Sequence, residues 1–358
     1  MSHAHASQSL ASTAPVWPDA QRAADFDVWL ATLVPTHGLQ IDSLRSASAD
    51  ASFRRYFRID SSQGSRIIMD APPAQEDCRP FVKVAQLMAA ARVRVPQVLA
   101  WDEARGFMLL TDLGLQTMMQ AIDRQAPSAN QDLYLQAIEA LITWQTASSP
   151  SVLPLYDEAL LRLELALFPD WYLTRHRGVV VEGEVRRTLD NTFGQIVARN
   201  LAWPSVYVHR DFMPRNLMVG PDGLGVLDFQ DAVYGPITYD IASLMRDAFL
   251  SWEEDFCLDI TVRYWEKARK AGLPVGHDFG EFYRGVEWMG LQRHLKVAGI
   301  FARLTLRDSK PQFLADTPRF IAYMRATCTR YRELRPLLRL LERVEGIETS
   351  SGYAFGRM

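Results

Sequence analysis

Cysteine is scarce in this chain. Cys78, Cys257 and Cys328 are three thiols in 358 residues, odd in number and widely separated, so the sequence suggests neither a disulfide framework nor a zinc site and implies reduced thiols. Long apolar runs are lacking as well. No stretch approaches the roughly 18 residues that cross a bilayer, and the opening MSHAHASQSLASTAP has no charged-then-apolar leader. The expectation is a cytoplasmic protein with no membrane partner. Charge of one sign is not in excess either: the formal net charge is −3, with 23% charged residues, which gives no global attraction to nucleic acid. After the Ala/Ser/His-rich N-terminus there is no internal repeat, heptad pattern or low-complexity tract.

What is present is a chain with 48% hydrophobic residues, long enough for two lobes and a cleft between them. The first 17 residues read as a disordered tail, followed by a helix over 19–33 with Phe26, Trp29, Leu30 and Leu33 on one face. Short alternating runs, LQIDSLRSA, SFRRYFRID and SRIIMD, then predict three antiparallel strands. A break at Pro72 and Pro73 precedes a helix over 79–92, and QVLAW and GFMLL add two strands, closing an N-terminal lobe over 18–110. From 111 to 358 the spacing is helical, as in LYLQAIEALITWQ and ALLRLELALF, except around 206–229. There VYVH, NLMV and GVLDF are short buried strands whose ends are crowded with polar residues, the usual setting of reactive groups on a rigid scaffold.

His209-Arg210-Asp211-Phe212-Met213-Pro214-Arg215-Asn216 puts a carboxylate five residues before an amide, and Asp228 follows twelve positions later at the end of an apolar strand. Each piece alone is commonplace, since a lone His-x-Asp is usually a turn or a cap. The ordered set matches what phosphoryl transfer requires: one aspartate to orient the attacking hydroxyl, with an amide oxygen and a second carboxylate to hold magnesium against nucleotide phosphates.

The sequence resembles the aminoglycoside phosphotransferase family, the small-molecule branch of the protein-kinase-like fold, over nearly the whole chain from about residue 25. GVLDFQDAVYGPITYDIASLMRD and GLQRHLKVAGIFARL are more specific and resemble the branch that phosphorylates the anomeric hydroxyl of N-acetylmuramate and N-acetylglucosamine in cell-wall recycling. The resemblance implies an α+β fold of two lobes, a small antiparallel-sheet lobe for nucleotide and a larger helical lobe for catalysis and substrate. It further implies ATP and Mg²⁺ as cofactors, a small-molecule sugar as partner, Asp211 as base and Asn216 and Asp228 as metal ligands. His209 and Asp240 would be structural, fixing and bracing the catalytic loop, and a plain helix cap by Asp240 would be physically the same task. Arg210 reads as a bracing cation and Phe229 as a core residue.

In the N-terminal lobe the glycine-rich phosphate loop of protein kinases is replaced by a glycine-free turn, 46–53, that includes Ser52. Along the next strand Arg54, Tyr56 and Arg58 alternate with Phe53, Arg55, Phe57 and Ile59, so one face is expected to look onto nucleotide, with Tyr56 or Phe57 over adenine and an arginine toward phosphate. A solvated basic face is the alternative. The third strand ends at Asp70 where the family carries a phosphate-binding lysine, leaving Arg55, Arg58 or Lys83 to supply the cation. Backbone groups from Leu110 to Asp112 would bond the adenine edge, with Asp112 also expected to cap the helix that follows.

From 291 to 340 eleven Lys/Arg stand against three acids, unlike the acidic pocket that polycationic aminoglycosides require. Most of that excess reads as solvated helix surface, but Arg293, His294 and Lys296 are placed to meet a substrate carboxylate. Gln230, Asp231 and Asp247 are candidates for sugar hydroxyls. The rival readings are a kinase of an amino alcohol, homoserine or aminoglycoside, and a nucleotide-binding regulator without turnover.

Overall fold

The computed structural model describes Trp17, residues 19–49 and residues 53–347. The expected tail, apart from Trp17, and Ser52 lie outside the described residues. By its internal contacts the chain divides into two units, one formed by Met1–Gln116 and Met218–Asp231, the other by Thr117–Leu217 and Ala232–Met358.

The first unit is built on a five-stranded sheet with strand order β1-β2-β3-β5-β4, comprising β1 (Leu39–Ala49), β2 (Arg55–Ser61), β3 (Gly64–Asp70), β4 (Val98–Asp102) and β5 (Phe107–Thr111). Every named neighbour pair is antiparallel. Helix α1 (Ala20–His37) starts where the Asp19 carboxylate accepts the Arg22 N–H at 2.7 Å and stops at Gly38, whose φ of 60° is available to glycine at little cost. It runs past the expected end at 33, with Pro35 accommodated in its last turn.

Phe26, Trp29 and Leu30 of α1 form one apolar core with Phe57, Ile59, Ile68, Phe107 and Leu109 of the sheet. The same junction explains Asp70, which is fully buried at the end of β3. Its carboxylate takes the Arg22 guanidinium at 2.5 Å and that of Arg55, while Arg22 lies 4.0 Å over the Phe107 ring. The position where the resemblance implies a phosphate-binding lysine instead ties the N-terminal helix to the sheet. Helix α2 (Arg79–Ala90) buries Phe81, Val84, Ala85 and Met88, and Phe81 packs on Phe229 at 4.8 Å between centroids. β7 (Leu217–Met218) and β8 (Gly225–Val226) form a ribbon that leads to Asp228.

Among the described residues the regular structure of the second unit is helical apart from one ribbon, β6 (Ser205–Val208) against β9 (Val233–Pro236). Around it lie α3 (Met118–Ala121), α4 (Gln131–Thr146), α5 (Glu158–Leu167), α6 (Gly183–Leu201), α7 (Thr238–Met245), α8 (Glu254–Lys270), α9 (Phe279–Leu306), α10 (Thr317–Arg330) and α11 (Arg335–Glu345). Helix α9 is buried on most of its circumference from Gly285 to Ala302, as expected of a helix with α5, α6, α7, α8 and α10 around it. Gly299 permits a close approach of backbone: a Cβ there would sit 2.4 Å from the Leu167 backbone at the end of α5.

Candidate active site

β6 is buried, and the chain leaves it at His209. The His209 and Arg210 N–H groups donate to the two oxygens of the Asp240 carboxylate at 2.7 and 3.0 Å. Asp240 lies in the first turn of α7 and is fully buried, so a helix start and the ribbon beside it fix the loop backbone together. Burial pushes the Asp240 carboxyl up to about 6 against the pull of His209 and of those two N–H groups. His209 Nδ1 accepts the Asp211 N–H at 3.2 Å. Asn216 Nδ2 donates to the Asp211 carbonyl at 2.9 Å, so the oxygen of that amide points away from the loop carbonyl.

Arg210 has φ 78°, a left-handed conformation costly for any residue with a Cβ. Its carbonyl accepts Arg293 Nη1 at 2.5 Å, and its guanidinium reaches Glu164 Oε1 at 2.6 Å. The Asp211 side chain is 39% exposed, and Arg293 Nη2 stands 4.0 Å from it. Partial burial acts to raise the Asp211 carboxyl, but Lys296, Arg293, His209 and Arg210 outweigh it and hold it below the usual carboxylate range. Asp211 is therefore ionised at neutral pH. It can accept a hydrogen bond from a hydroxyl, and it is a weak base.

Asp247, two residues beyond α7, is buried, with Oδ1 accepting the Phe249 N–H at 3.2 Å and Oδ2 left without a hydrogen-bond partner. Burial pushes this carboxyl up to about 6, opposed by the Phe249 N–H and by Arg293 and Arg215. In the first unit Asp228 follows β8 with φ 62° and an exposed side chain, and Gln230 Nε2 donates to its Oδ1 at 2.9 Å. Asp231 is exposed and Phe229 is fully buried. Among the described residues no group of three or more His, Cys, Asp or Glu is placed to hold a metal ion.

Residues 43–279 match the model of the Phosphotransferase enzyme family. The chain belongs to that family. It is 52% identical over 295 residues to the N-acetylmuramate/N-acetylglucosamine kinase of Pseudomonas aeruginosa, covering 82% of this chain and 86% of that one. With the kinase of the same name from Neisseria meningitidis it shares 48% over 338 residues, 94% of this chain and all of the other. Among solved structures, the GDP complex of aminoglycoside 2'-phosphotransferase-IIIa superposes with a TM-score of 0.59 at 14% identity, covering 86% of this chain and 99% of that one. A choline/ethanolamine kinase family protein from Mesorhizobium loti gives 0.60 at 15%, over 90% and 99%. At such identities the structures show the fold alone, the two-lobed kinase-like α+β architecture.

In this phosphotransferase the β2 alternation separates Arg55 and Phe57 from Tyr56 and Arg58. Phe57 is buried under α1, and Arg55 lies with it, 4.6 Å from the Trp17 ring and paired with Asp70. On the other face the Arg54 side chain hydrogen-bonds Tyr56 and pairs with Glu76 at 3.1 Å, and Arg58 forks onto Asp112 at 2.6 and 3.2 Å. Asp112 also accepts Ser65 Oγ at 2.7 Å and the Gly114 N–H at 2.9 Å, and those bonds with Arg58 hold its carboxyl below the ordinary value against the opposing effect of burial. It does not cap the next helix, because Thr117 and Gln120 close a reciprocal capping box at α3. Leu110 lies buried within β5, and Lys83 is exposed on α2.

The three basic residues expected to meet a substrate carboxylate are all engaged within the protein. Arg293 holds the Arg210 carbonyl and lies 4.8 Å over the Tyr239 ring, and Lys296 Nζ bonds Glu164 at 3.0 Å and Tyr239 Oη at 3.3 Å. His294 stacks on Tyr323 at 4.7 Å with Nε2 3.1 Å from the Arg246 carbonyl, and burial lowers it to about 3, so it is neutral. Glu164 is the residue that sequence reasoning missed. A signal existed: it shares the buried face of α5 with Leu161 and Leu165, where an unpaired carboxylate is not tolerated.

Proposed function

We propose that this chain transfers the γ-phosphate of ATP, with Mg²⁺, to the anomeric hydroxyl of N-acetylmuramate or N-acetylglucosamine in the cytoplasm. The observation that carries this reading is the 48–52% identity, over most of the chain, to relatives that bear that kinase name. Asp211 accepts the hydrogen bond of the acceptor hydroxyl and orients it for in-line attack. A carboxylate held below its usual range is a poor base for an ordinary alcohol. It suits the anomeric hydroxyl, the most acidic one on a sugar, and a loose transition state in which the proton leaves late.

Asn216 and Asp228 are assigned as magnesium ligands. An amide oxygen and a carboxylate are hard oxygen donors, and two of them fit an ion that takes its remaining ligands from phosphate and water. Held there, the metal would supply neutralisation of phosphate charge. Tyr56, Ser52 and the backbone of Leu110 to Asp112 are assigned to the nucleotide, and Arg58 or Lys83 to its phosphates, since Arg55 is committed to Asp70. Asp247 and Arg293, together with Gln230 and Asp231, are assigned to the acceptor sugar. Retention of Asp211, Asn216 and Asp228 favours turnover over a purely regulatory nucleotide site.

The test is ADP release against a panel of amino sugars, amino alcohols and aminoglycosides, followed by phosphorus NMR of the product. Coupling of phosphorus to H1, with loss of the reducing end, is expected. A product that still reduces copper would place the phosphate on another hydroxyl and overturn the anomeric assignment.

A further inference from the structure

Contacts from three different helices hold Arg210, the residue immediately before Asp211. Its N–H is on Asp240, its carbonyl is on Arg293 and its guanidinium is on Glu164. The first two come from α7 and α9, 30 and 83 positions later in the chain. The third comes from α5, 46 positions earlier in the chain, and the same Glu164 oxygen also takes Lys296 Nζ at 3.0 Å, while the other oxygen takes Tyr156 Oη at 2.5 Å. Glu164 is thus the buried anion that two cations share, and both of those cations also act electrostatically on Asp211. Arg293, on the same helix as Lys296, already stands 4.0 Å from the Asp211 carboxylate.

We infer that Glu164 is a positioning residue for phosphoryl transfer: it holds Arg210 and Lys296 off the Asp211 carboxylate, keeping that carboxylate open to the acceptor hydroxyl. The inference rests on the reading of Asp211 as the group that receives the hydroxyl. Its physical basis is simple. Two part-buried cations that lose Glu164 are drawn to another anion, and Asp211 is the nearby carboxylate on which they already act. A cation seated on Asp211 competes with the substrate hydroxyl for the same oxygens. The left-handed Arg210 would also lose one of its holds, and a rotation there swings Asp211 directly. α5 and α9 are close enough for this because Gly299 lets the Leu167 backbone approach.

The test uses the full chain with MgATP and N-acetylglucosamine or N-acetylmuramate. Glu164→Gln is expected to lower kcat at least tenfold and leave the KM for MgATP within about twofold. Lys296→Met in the same chain is expected to restore part of that loss, because it removes a cation that would otherwise seat on Asp211. A purely structural role predicts the opposite, a double variant worse than either single one. The inference is overturned if Glu164→Gln keeps wild-type kcat or if the double variant loses activity multiplicatively. Should Glu164→Gln not fold, Glu164→Asp decides: its carboxylate falls one methylene short, and wild-type kcat there overturns the inference. Asp211→Asn in parallel separates the two readings. If it stays active, the assignment of Asp211 fails; if it is inactive while the Glu164 variants are normal, only the positioning role fails.

Discussion

Asp211 and Asp228 are both exposed enough to meet a ligand, and the proposed function gives them different chemistry, so their substitutions should separate. Asp211→Asn is expected to lower kcat by roughly 10² to 10⁴ with nucleotide affinity nearly unchanged, whereas Asp228→Ala should abolish turnover and weaken Mg-nucleotide binding. Calorimetric titration with MgADP beside steady-state kinetics distinguishes them, and an active Asp211→Asn enzyme would remove the base assignment. Asp247 makes a different kind of prediction. Its carboxyl sits at about 6 in the fold against an ordinary 3.8, so in the native state it is ionised at a cost above pH 6. As pH falls from 6 toward 4 the fold takes up the proton first and stability rises. Asp247→Asn removes that cost and can keep the bond to the Phe249 N–H. It should therefore be more stable than wild type at pH 8, by about 1–3 kcal/mol in urea unfolding, with the gap closing toward pH 5. A variant less stable at pH 8 would show that the buried carboxylate has a partner that compensates it.

At the scale of elements, the active loop is held by the packing of helices around β6. Asp240 comes from α7, Arg293 and Lys296 from α9, and Glu164 from α5, so the separation of α5 and α9 sets whether those groups can meet. Gly299→Ala places a methyl 2.4 Å from the Leu167 carbonyl carbon and oxygen, and backbone cannot swing aside as a side-chain tip can. The helices must part, so the variant is expected to lose roughly 1–3 kcal/mol or more of stability and a larger share of kcat than of nucleotide affinity. Normal melting and normal kcat would mean that the two helices slide without disturbing Glu164. In the sheet, alternation along β2 already put Arg55 and Arg58 on opposite faces. Which face α1 covers was not legible, because Asp70 and Arg22, the residues that tie α1 there, lie 48 positions apart.

For the whole molecule, opposing buried groups shape the response to pH. His294, lowered to about 3 in the fold from 6.5, stays neutral while the unfolded chain protonates, so its burial costs stability as pH falls below about 6.5. Asp240 and Asp247, both near 6 in the fold, add stability over much the same window. The two effects oppose each other. Carboxylates held below their ordinary values, Asp112, Asp211, Glu164 and Glu254, contribute stability above pH 4 that disappears as they are protonated. The urea midpoint is therefore expected to change little from pH 8 to 5 and to fall steeply below 4. His294→Gln should instead gain stability between pH 7 and 5. A wild type that loses most of its stability already in that interval would show that His294 dominates and that the buried aspartates do not offset it.

The sequence by itself determined the short-range features: the ordered Asp211, Asn216 and Asp228, the strand alternation, the helical periodicities and the turn residues between them. Those are set by neighbours within a few positions, where backbone geometry converts spacing directly into direction. Only the tertiary structure decided that Asp70 anchors α1 through Arg22 and takes Arg55 with it, that Asp112 holds Arg58 instead of capping α3, and that Arg293 and Lys296 face inward. It alone brought Glu164 to Arg210 and Lys296, 46 and 132 positions away. Partners that distant leave no mark in local spacing, because their meeting depends on which helices pack together and how closely, and that is fixed by the filling of the core as a whole.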